Sequence, residues 1–286
     1  MISGEVDQKG SRGMEVRVAI LNDNTAGPPA FKAEHGLSAL VEVEGRSFLW
    51  DCGATDITVR NARAMGIDLA AIEGIGLSHG HYDHSGGLMP VLEASGPKRV
   101  FMHPEALTPK YAIFGQVQRF IGIPFSQAAI EGASLKLELS KEPVEVMPGV
   151  NLTGEVPRVT DFEGLEPNLF CFMDGDMVPD PFLDDQALVV DTPEGAIVLT
   201  GCAHSGVVNI LKHVLESHER IRAVVGGTHL GLGDAKRMQP TIEFLDDVAP
   251  DKMIFTHCTG AKAAATMMER FKDRFVPSQT GLVLNV

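Results

Sequence analysis

The stretch Ile75-Gly-Leu-Ser-His-Gly-His-Tyr-Asp-His84 carries three imidazoles and one carboxylate within the six residues from His79 to His84. It begins with a short apolar run, typical of a buried strand, and continues into a loop that contains glycine. Imidazole and carboxylate groups bind divalent zinc, manganese, iron and nickel. An ordinary surface loop has no need for this density of ligands, and a structural zinc site favours cysteine in a closed shell. The stretch therefore predicts a metal centre at the end of a strand.

The spacing of this motif divides its ligands into two pairs. His79 and His81 are two residues apart, so in extended backbone they project to the same side and can chelate one ion. Asp83 and His84 fall at the turn into the next helix, point elsewhere and can serve a second ion. Two ions roughly 3.5–4 Å apart can activate a water molecule and hold both oxygens of a displacement reaction. A dinuclear centre is the resulting hypothesis.

Around the motif, hydrophobic patterning predicts alternating strands and helices. Hairpins are expected at 40–50 and 187–199, and the apolar stripe of 207–218 is typical of an amphipathic helix. Polar side chains follow the strand ends, where open α/β folds place their sites. No linker separates two similar halves. The pattern predicts a single α/β (α+β) sandwich domain over 14–286, with an insertion or cap around 104–134.

The composition excludes several classes of protein. With 44% hydrophobic and 22% charged residues, the 286-residue chain has the composition of a globular protein. Its 24 basic and 38 acidic residues give a net charge of −14, which disfavours nucleic acid and anionic membranes as partners. A small-molecule substrate is therefore expected.

The termini and the cysteines bear on location. The polar segment 1–13 lacks the apolar core of a signal peptide and is expected to be a flexible tail. No apolar run is long enough to cross a membrane. The four cysteines form no CxxC pair, which favours a reducing, cytoplasmic location.

The motif His79-x-His81-x-Asp83-His84 resembles the signature of the metallo-β-lactamase superfamily, and Asp51 lies where that superfamily carries an aspartate at a strand end. The resemblance extends from Leu21 to about Gly281. Four further stretches are similar to the branch of archaeal dihydropterin–ribofuranosylaminobenzene phosphate synthase-like proteins: 33–38, 200–206, 226–230 and 257–260. The resemblance implies a four-layer αβ/βα sandwich with the metals at one edge of the sheets.

The resemblance also implies a ligand set. His79 and His81 would bind one metal, and Asp83 and His84 would bind the second. His257 matches the last metal-binding histidine of the family. The implied cofactor is one or two divalent ions, with zinc expected and manganese, iron or nickel as alternatives.

Three positions depart from the family pattern. Glu155 stands where the family supplies a histidine, and it could equally be a solvated loop carboxylate. Cys202 stands in place of a bridging aspartate, either as a thiolate ligand or as a small buried residue. His204, two residues further on, could replace either one.

The remaining polar residues receive weaker assignments. Asp51, His35 and His229 are expected to contact substrate or to hydrogen-bond a metal ligand, although either histidine could simply cap a turn. Cys52, Cys171 and Cys258 are expected to be inert packing residues. Lys110, Arg119 and Arg158 could contact an anion, with solvated surface charge as the competing interpretation.

Two functions follow from the predicted centre. The first is a metal-dependent hydrolase of a small ester, phosphoester or lactone-like substrate, in which Asp83 orients the attacking water or takes its proton. The second is a transferase of the dihydropterin–ribofuranosylaminobenzene phosphate synthase type, in which the metal activates a leaving diphosphate. A third reading, a non-catalytic metal-binding domain, is disfavoured by the open arrangement of ligands.

Overall fold

The computed structural model describes residues 14–231 and 235–286, so the predicted flexible tail of 1–13 lies outside the described residues. Within them the chain forms strands at the following positions: β1 Val16–Asn22, β2 Ser38–Val43, β3 Arg46–Trp50, β4 Gly74–Gly76, β5 Arg99–Met102, β6 Lys110–Phe114, β7 Val117–Phe120, β8 Lys136–Leu139, β9 Val144–Met147, β10 Val150–Leu152, β11 Leu169–Met173, β12 Asp176–Pro179, β13 Leu188–Val190, β14 Ala196–Leu199, β15 Ile221–Gly226, β16 Lys252–Phe255 and β17 Val283–Asn285.

The helices of the described chain lie mostly between these strands. The α-helices are α1 Ile57–Ala64, α2 Tyr82–Ser85, α3 Leu88–Ser95, α4 Gln127–Ala133, α5 Val207–Leu215, α6 Ala235–Val248 and α7 Gly260–Phe271. Short 3-10 helices occur at Leu69–Ala71, Pro104–Leu107, His257–Thr259 and Lys272–Arg274. None of the described helices is both long and apolar enough to cross a lipid bilayer.

Two large sheets carry most of the strands. The first has the order β17-β1-β2-β3-β4-β5-β8, and the second has the order β16-β15-β14-β13-β10-β9. Both expected hairpins are present, because β2 pairs antiparallel with β3 and β13 pairs antiparallel with β14. Next to each hairpin the pairing turns parallel, from β3 to β4 and β5, and from β14 to β15 and β16.

The alternation of side chains along the strands builds four layers. Val18 and Ile20 of β1 belong to a core shared with the second sheet, whereas Ala19 and Leu21 pack against α1, α3 and α4. The outer face of the second sheet packs in the same way against α5, α6 and α7. The result is a helix–sheet–sheet–helix sandwich, which confirms the predicted fold class.

A third, smaller sheet has the order β12-β11-β6-β7 and joins residues 110–120 to residues 169–179. Residues 104–134, expected to form an insertion or cap, therefore divide between two places. Their strands enter this third sheet, and their helix α4 buries Ile130 in the core of the first sheet. Lys110 and Cys171 are opposite one another in the third sheet, and both side chains are buried.

The sheet topology brings several loops to one edge. Strands β1, β3 and β4 of the first sheet run in the same direction, so their carboxyl ends meet at one edge, as do those of β14, β15 and β16 in the second sheet. The polar segments predicted to carry chemistry follow these strand ends. The fold therefore gathers residues from six separate loops.

Candidate metal centre

The centre lies where the loops after β4, β14 and β16 meet. His79 and His81 follow β4 of the first sheet, while His204 and His257 follow β14 and β16 of the second. The close approach of the two sheets requires glycine at Gly201, because a Cβ there would lie 2.0 Å from the Ser78 hydroxyl oxygen.

The first cluster contains His79, His81 and His204. One ring nitrogen from each of these residues lies within 4.8 Å of the others, and all three side chains are buried. Among the residues that the structure describes, the Nε2 atoms of His79 and His81 and both ring nitrogens of His204 have no hydrogen-bond partner. A buried polar atom left unpaired costs about 1–3 kcal/mol, so this orphaned set fits a bound cation.

The electrostatics of the first cluster favour neutral imidazole, which is the form that binds metals. Burial lowers the pKa of His81 to about 3. Burial, reinforced by the neighbouring histidines, also holds the pKa of His79 and of His204 well below the usual value. Near neutral pH each ring is therefore neutral and keeps one nitrogen unprotonated. A metal can bind at that nitrogen without displacing a proton.

The second cluster contains Asp83, His84 and His257. The Nε2 atoms of His84 and His257 are 3.3 Å apart, and His257 Nε2 is 3.3 Å from Asp83 Oδ2. The opposite nitrogens are anchored, since His84 Nδ1 lies 2.7 Å from Asp51 Oδ2 and His257 Nδ1 lies 2.8 Å from Asn24 Oδ1. Acceptors at Nδ1 direct the Nε2 lone pairs inward, as in carboxylate–histidine–metal arrangements.

The second cluster contains charged groups, unlike the neutral imidazoles of the first. Burial by itself would lower the pKa of His84, but the Asp51 and Asp83 carboxylates outweigh it and raise the pKa to about 9. Burial would raise the pKa of Asp83, but the contacts of its carboxylate with the His257 and His35 imidazoles outweigh burial and hold the pKa well below its usual value. A divalent ion would compete with the His84 proton and balance the Asp83 charge.

Cys202 lies between the two clusters. Its Sγ is 3.2 Å from His84 Nε2, and the Cys202, His79 and His84 ligand atoms all lie within 4.8 Å of one another. Burial raises the pKa of the Cys202 thiol well above its usual value, so a nearby cation would be needed to hold it as a thiolate. Cys258, expected to be inert, brings its thiol within 3.4 Å of the Cys202 carbonyl oxygen.

Asp51 ties the motif to the first sheet. Its Oδ1 accepts a hydrogen bond from the Ser78 backbone N–H at 2.8 Å, and its Oδ2 accepts one from the Ser78 hydroxyl at 2.7 Å. Because Oδ2 also contacts His84, one fully buried carboxylate orients the beginning and the end of the ligand loop. Asp51 therefore contacts a candidate ligand.

His35 contacts the second cluster, and His229 contacts the first. The half-exposed His35 places its Nε2 3.1 Å from Asp83 Oδ2. His229 packs its ring 4.3 Å from that of His204 and places its Nδ1 3.1 Å from Glu166 Oε1. Both residues contact candidate ligands of the centre.

Glu155 is not brought to the centre. Its carboxylate lies 3.2 Å from His103 Nε2 and 3.6 Å from Lys141 Nζ, and its side chain is 40% exposed. Its backbone N–H donates to the Lys141 carbonyl, which ties this segment to the loop after β8. The third side chain that the structure groups with His79 and His81 is that of His204.

Two of the three basic residues considered for anion binding form hydrogen bonds inside the protein. Arg158 donates to backbone carbonyls, including that of His204 at 2.8 Å, and Lys110 donates to two buried aspartates. The exposed Arg119 lies over the ring of Tyr82, within the ligand motif, at 4.9 Å from the ring centre. Of these three residues, Arg119 is the exposed one.

Sequence reasoning missed several supporting residues. Asn24 belongs to the polar run Asn22-Asp-Asn24 at the exit of β1, and its position at a strand end could have identified it. Ser78 directly precedes the motif. Phe182, whose ring stacks on His204 at 4.2 Å, lies in a segment with no recognisable pattern, so no sequence signal marked it.

Comparison with known proteins gives consistent matches. A family model described as the metallo-beta-lactamase superfamily matches residues 32–257. A Methanocaldococcus jannaschii protein named 7,8-dihydropterin-6-methyl-4-(beta-D-ribofuranosyl)-aminobenzene-5'-phosphate synthase is 30% identical, with 94% of this chain and 96% of that protein covered. An uncharacterized protein of the same organism is 33% identical, with 94% of this chain and all of that protein (100%) covered.

A solved structure described as a metal-dependent hydrolase of the beta-lactamase superfamily is also similar. It matches with a TM-score of 0.83 and 31% identity, and the match covers 95% of this chain and 99% of that one. The similarity in sequence and in structure thus extends over nearly the whole chain.

Proposed function

This chain belongs to the metallo-β-lactamase superfamily, and from that premise we propose that it is a metal-dependent hydrolase with two ion sites. His79, His81 and His204 form the first site. Asp83, His84 and His257 form the second, with Cys202 between the two. The observation that carries this proposal is the set of unpartnered ring nitrogens in the first cluster, next to two inward-facing Nε2 atoms in the second.

The donor set favours zinc. Imidazole nitrogens predominate, one carboxylate contributes oxygen, and a thiol lies within reach of both clusters. Zinc accepts nitrogen, oxygen and sulfur together, whereas manganese prefers oxygen ligands. Manganese, iron and nickel remain the alternatives to test.

When bound, the ions would lower the pKa of a water molecule and stabilise the negative charge that develops on the substrate. Asp83 Oδ2 is placed to hold the proton released there. His35 Nε2, 3.1 Å from that oxygen and half exposed, is placed to pass the proton to solvent. The ligand histidines are buried, which keeps bulk water from competing with the substrate around them.

A small anionic substrate is proposed, and a phosphoester suits the site best. Arg119 presents a guanidinium beside Tyr82 of the ligand motif, where it can contact a phosphate or carboxylate of the substrate. The net charge of −14 disfavours a nucleic acid as the carrier of that phosphate. The four cysteines are free, which supports a reducing, cytoplasmic location.

A transferase is the second candidate, and the observation that favours it is the 30% identity to the protein named as a synthase. In that reaction the same ions would bind a leaving diphosphate instead of activating a water. The two candidates share the metal centre and differ in the acceptor of the transferred group.

Metal analysis and a substrate panel test the proposal. The purified protein is expected to contain between one and two equivalents of a transition metal, and chelation is expected to abolish hydrolysis of chromogenic phosphodiesters. His81→Ala is expected to lose metal, whereas His213→Ala, which alters a histidine paired with Glu216 outside the centre, is expected to keep it. If the protein contains no metal as purified and also takes up none when metal is added, both candidate functions are refuted.

A second assay separates hydrolase from transferase. The protein is incubated with a dihydropterin that carries a leaving diphosphate, with and without the aminobenzene ribose phosphate acceptor. A hydrolase is expected to act on phosphoesters with no need for the acceptor. Diphosphate release that requires the acceptor, together with inactivity on every ester, phosphoester and lactone tested, would favour the transferase.

A further inference from the structure

A buried ion cluster joins β6 of the third sheet to the segment after β12, and the proposed function does not use it. Lys110 of β6 is almost fully buried, and its ammonium donates to Asp180 Oδ2 at 2.7 Å and to Asp184 Oδ1 at 2.9 Å. Burial would lower the pKa of Lys110, but the two carboxylates outweigh it and raise the pKa above its usual value. The lysine therefore stays charged and holds both aspartates in fixed positions.

One of these aspartates reaches the ligand loop. Asp184 Oδ2 accepts a hydrogen bond at 2.8 Å from the backbone N–H of Gly80, the residue between His79 and His81. Gly80 is also pressed against Pro104–Leu107, since a Cβ on it would lie 2.1 Å from the Ala106 carbonyl oxygen. The Lys110–Asp184 pair therefore fixes the backbone from which two ligands of the first cluster project.

The other aspartate reaches the third ligand through an aromatic ring. Asp180 Oδ1 accepts a hydrogen bond from the Phe182 backbone N–H at 2.8 Å. Phe182 has a φ of 53°, a left-handed conformation that is rare for a bulky residue and has to be held by its surroundings. Its ring stacks on His204 at 4.2 Å with an interplanar angle of 8°, and meets His81 edge-on at 5.8 Å.

We propose that Lys110 is a positioning residue for the first metal site, holding His79 and His81 through Asp184 and His204 through Asp180 and Phe182. This inference rests on the proposed function, because it needs the first cluster to bind an ion. The second cluster has different anchors, Asp51 directly after β3 and Asn24 in the loop after β1. Loss of Lys110 should therefore weaken one site and spare the other.

Metal titration of the full chain tests this selectivity. Metal-free wild type, Lys110→Met, His204→Ala and His257→Ala are each titrated with Zn²⁺ against a chromophoric chelator. Altered partners of ligands typically cost about 10- to 100-fold in metal affinity. Lys110→Met is expected to lose about 10- to 100-fold in Zn²⁺ affinity at the first site, which is the site that His204→Ala removes. It is expected to keep wild-type affinity at the second site, which His257→Ala removes.

A control variant separates positioning from loss of stability. Leu245→Ala opens a cavity in the core of the second sheet, away from the third sheet, and is expected to bind both ions as wild type does. Equal loss at both sites in Lys110→Met, or wild-type affinity at both, would overturn the positioning role. Wild type that binds no metal would refute the centre itself, and the role of Lys110 with it, which is a distinguishable result.

Lys110→Met leaves two buried carboxylates without their partner and can therefore prevent folding. A milder variant tests the proposal in that case. Phe182→Leu keeps the ion cluster and removes only the stacked ring. It is expected to weaken the first site alone. Unchanged affinity at that site in Phe182→Leu would contradict the proposed route from Lys110 through Asp180 to His204.

Discussion

The two histidine clusters lie side by side but are held in different ways. In the first, the Nε2 atoms of His79 and His81 and both ring nitrogens of His204 have no partner among the described residues. The Ser78 hydroxyl contacts His79 Nδ1 at 2.9 Å, and aromatic packing and backbone contacts hold the other rings. In the second, His84 and His257 are each anchored at Nδ1 by a hydrogen-bond acceptor, and Asp83 also contacts the half-exposed His35.

This difference separates two routes to a metal site. Packing buries neutral imidazoles whose unpaired nitrogens favour a cation. Hydrogen-bond acceptors at Nδ1, one of which is the Asp51 carboxylate, tune the basicity of the rings. We therefore expect the first cluster to respond to changes in packing and the second to changes in charge. The predictions below test this contrast.

The largest effect is expected from His204→Ala, which removes a ligand of the first cluster. About one equivalent of metal should be lost, and phosphodiester hydrolysis should fall on the order of 10³-fold, because a catalytic metal contributes several kcal/mol to the transition state. Elemental analysis and steady-state kinetics measure this. His103→Ala, a buried histidine paired with Glu155, is the matched control and should keep its metal. Full metal content in His204→Ala would show that His204 is not a ligand of the first site.

A pH effect on stability is expected from Asp185, whose Oδ2 accepts hydrogen bonds from Ser205 beside His204. Burial raises its pKa to about 6, above the value of an unfolded aspartate, so its contribution to stability is complete below about pH 4 and is lost as the pH rises through 6. In metal-free protein, Asp185→Asn should gain about 3 kcal/mol relative to wild type between pH 4 and pH 7. Denaturant unfolding at both pH values measures this. A constant difference between the two proteins across that range would contradict the prediction.

A smaller and local effect is expected from Asp51→Asn, which removes the charge behind His84. The affinity of the second site should fall about 10- to 100-fold, and the first site, which Asp51 reaches only through Ser78 and His79, should weaken less. Metal titration measures both affinities. Asp191→Asn alters a carboxylate that pairs with His218 outside the centre and should change neither. A larger loss at the first site than at the second would reverse the proposed assignment of anchors.

The smallest change in affinity is expected from Cys202→Ser, whose thiol lies between the clusters. Zinc affinity should fall by no more than about tenfold. In cobalt-loaded wild type, a thiolate-to-metal charge-transfer absorption is expected, and it should vanish in Cys202→Ser and persist in Cys171→Ser. A spectrum without this absorption in wild type would identify Cys202 as a packing residue.

Much of the fold was predictable from local patterns. The hairpins at 40–50 and 187–199 formed as expected because their strands are neighbours in sequence and short turns join them. The expected helix at 207–218 forms as Val207–Leu215, ending three residues early where Ser217 and His218 bond back to the Val214 carbonyl. The third sheet was not predictable, because it pairs β6 with β11 across more than fifty residues of chain.

In the candidate site, too, local patterns predicted some features and tertiary packing decided the others. His79, His81, Asp83 and His84 were identified from their spacing alone, since a six-residue motif carries its own geometry. The choice among Glu155, Cys202 and His204 could not be made from sequence, because it depends on how the second sheet meets the first.

The sequence by itself determined the α/β pattern of strands and helices and the ligand motif, because these depend on periodicity and short spacings. The four-layer architecture was implied by the family resemblance of that motif. Only the tertiary structure decided that His204 joins the first cluster, that Glu155 pairs with His103 and Lys141, and that a buried lysine supports the ligand loop. The physical reason is distance along the chain. Contacts between residues tens to more than a hundred positions apart depend on the packing of whole sheets, which no local pattern records.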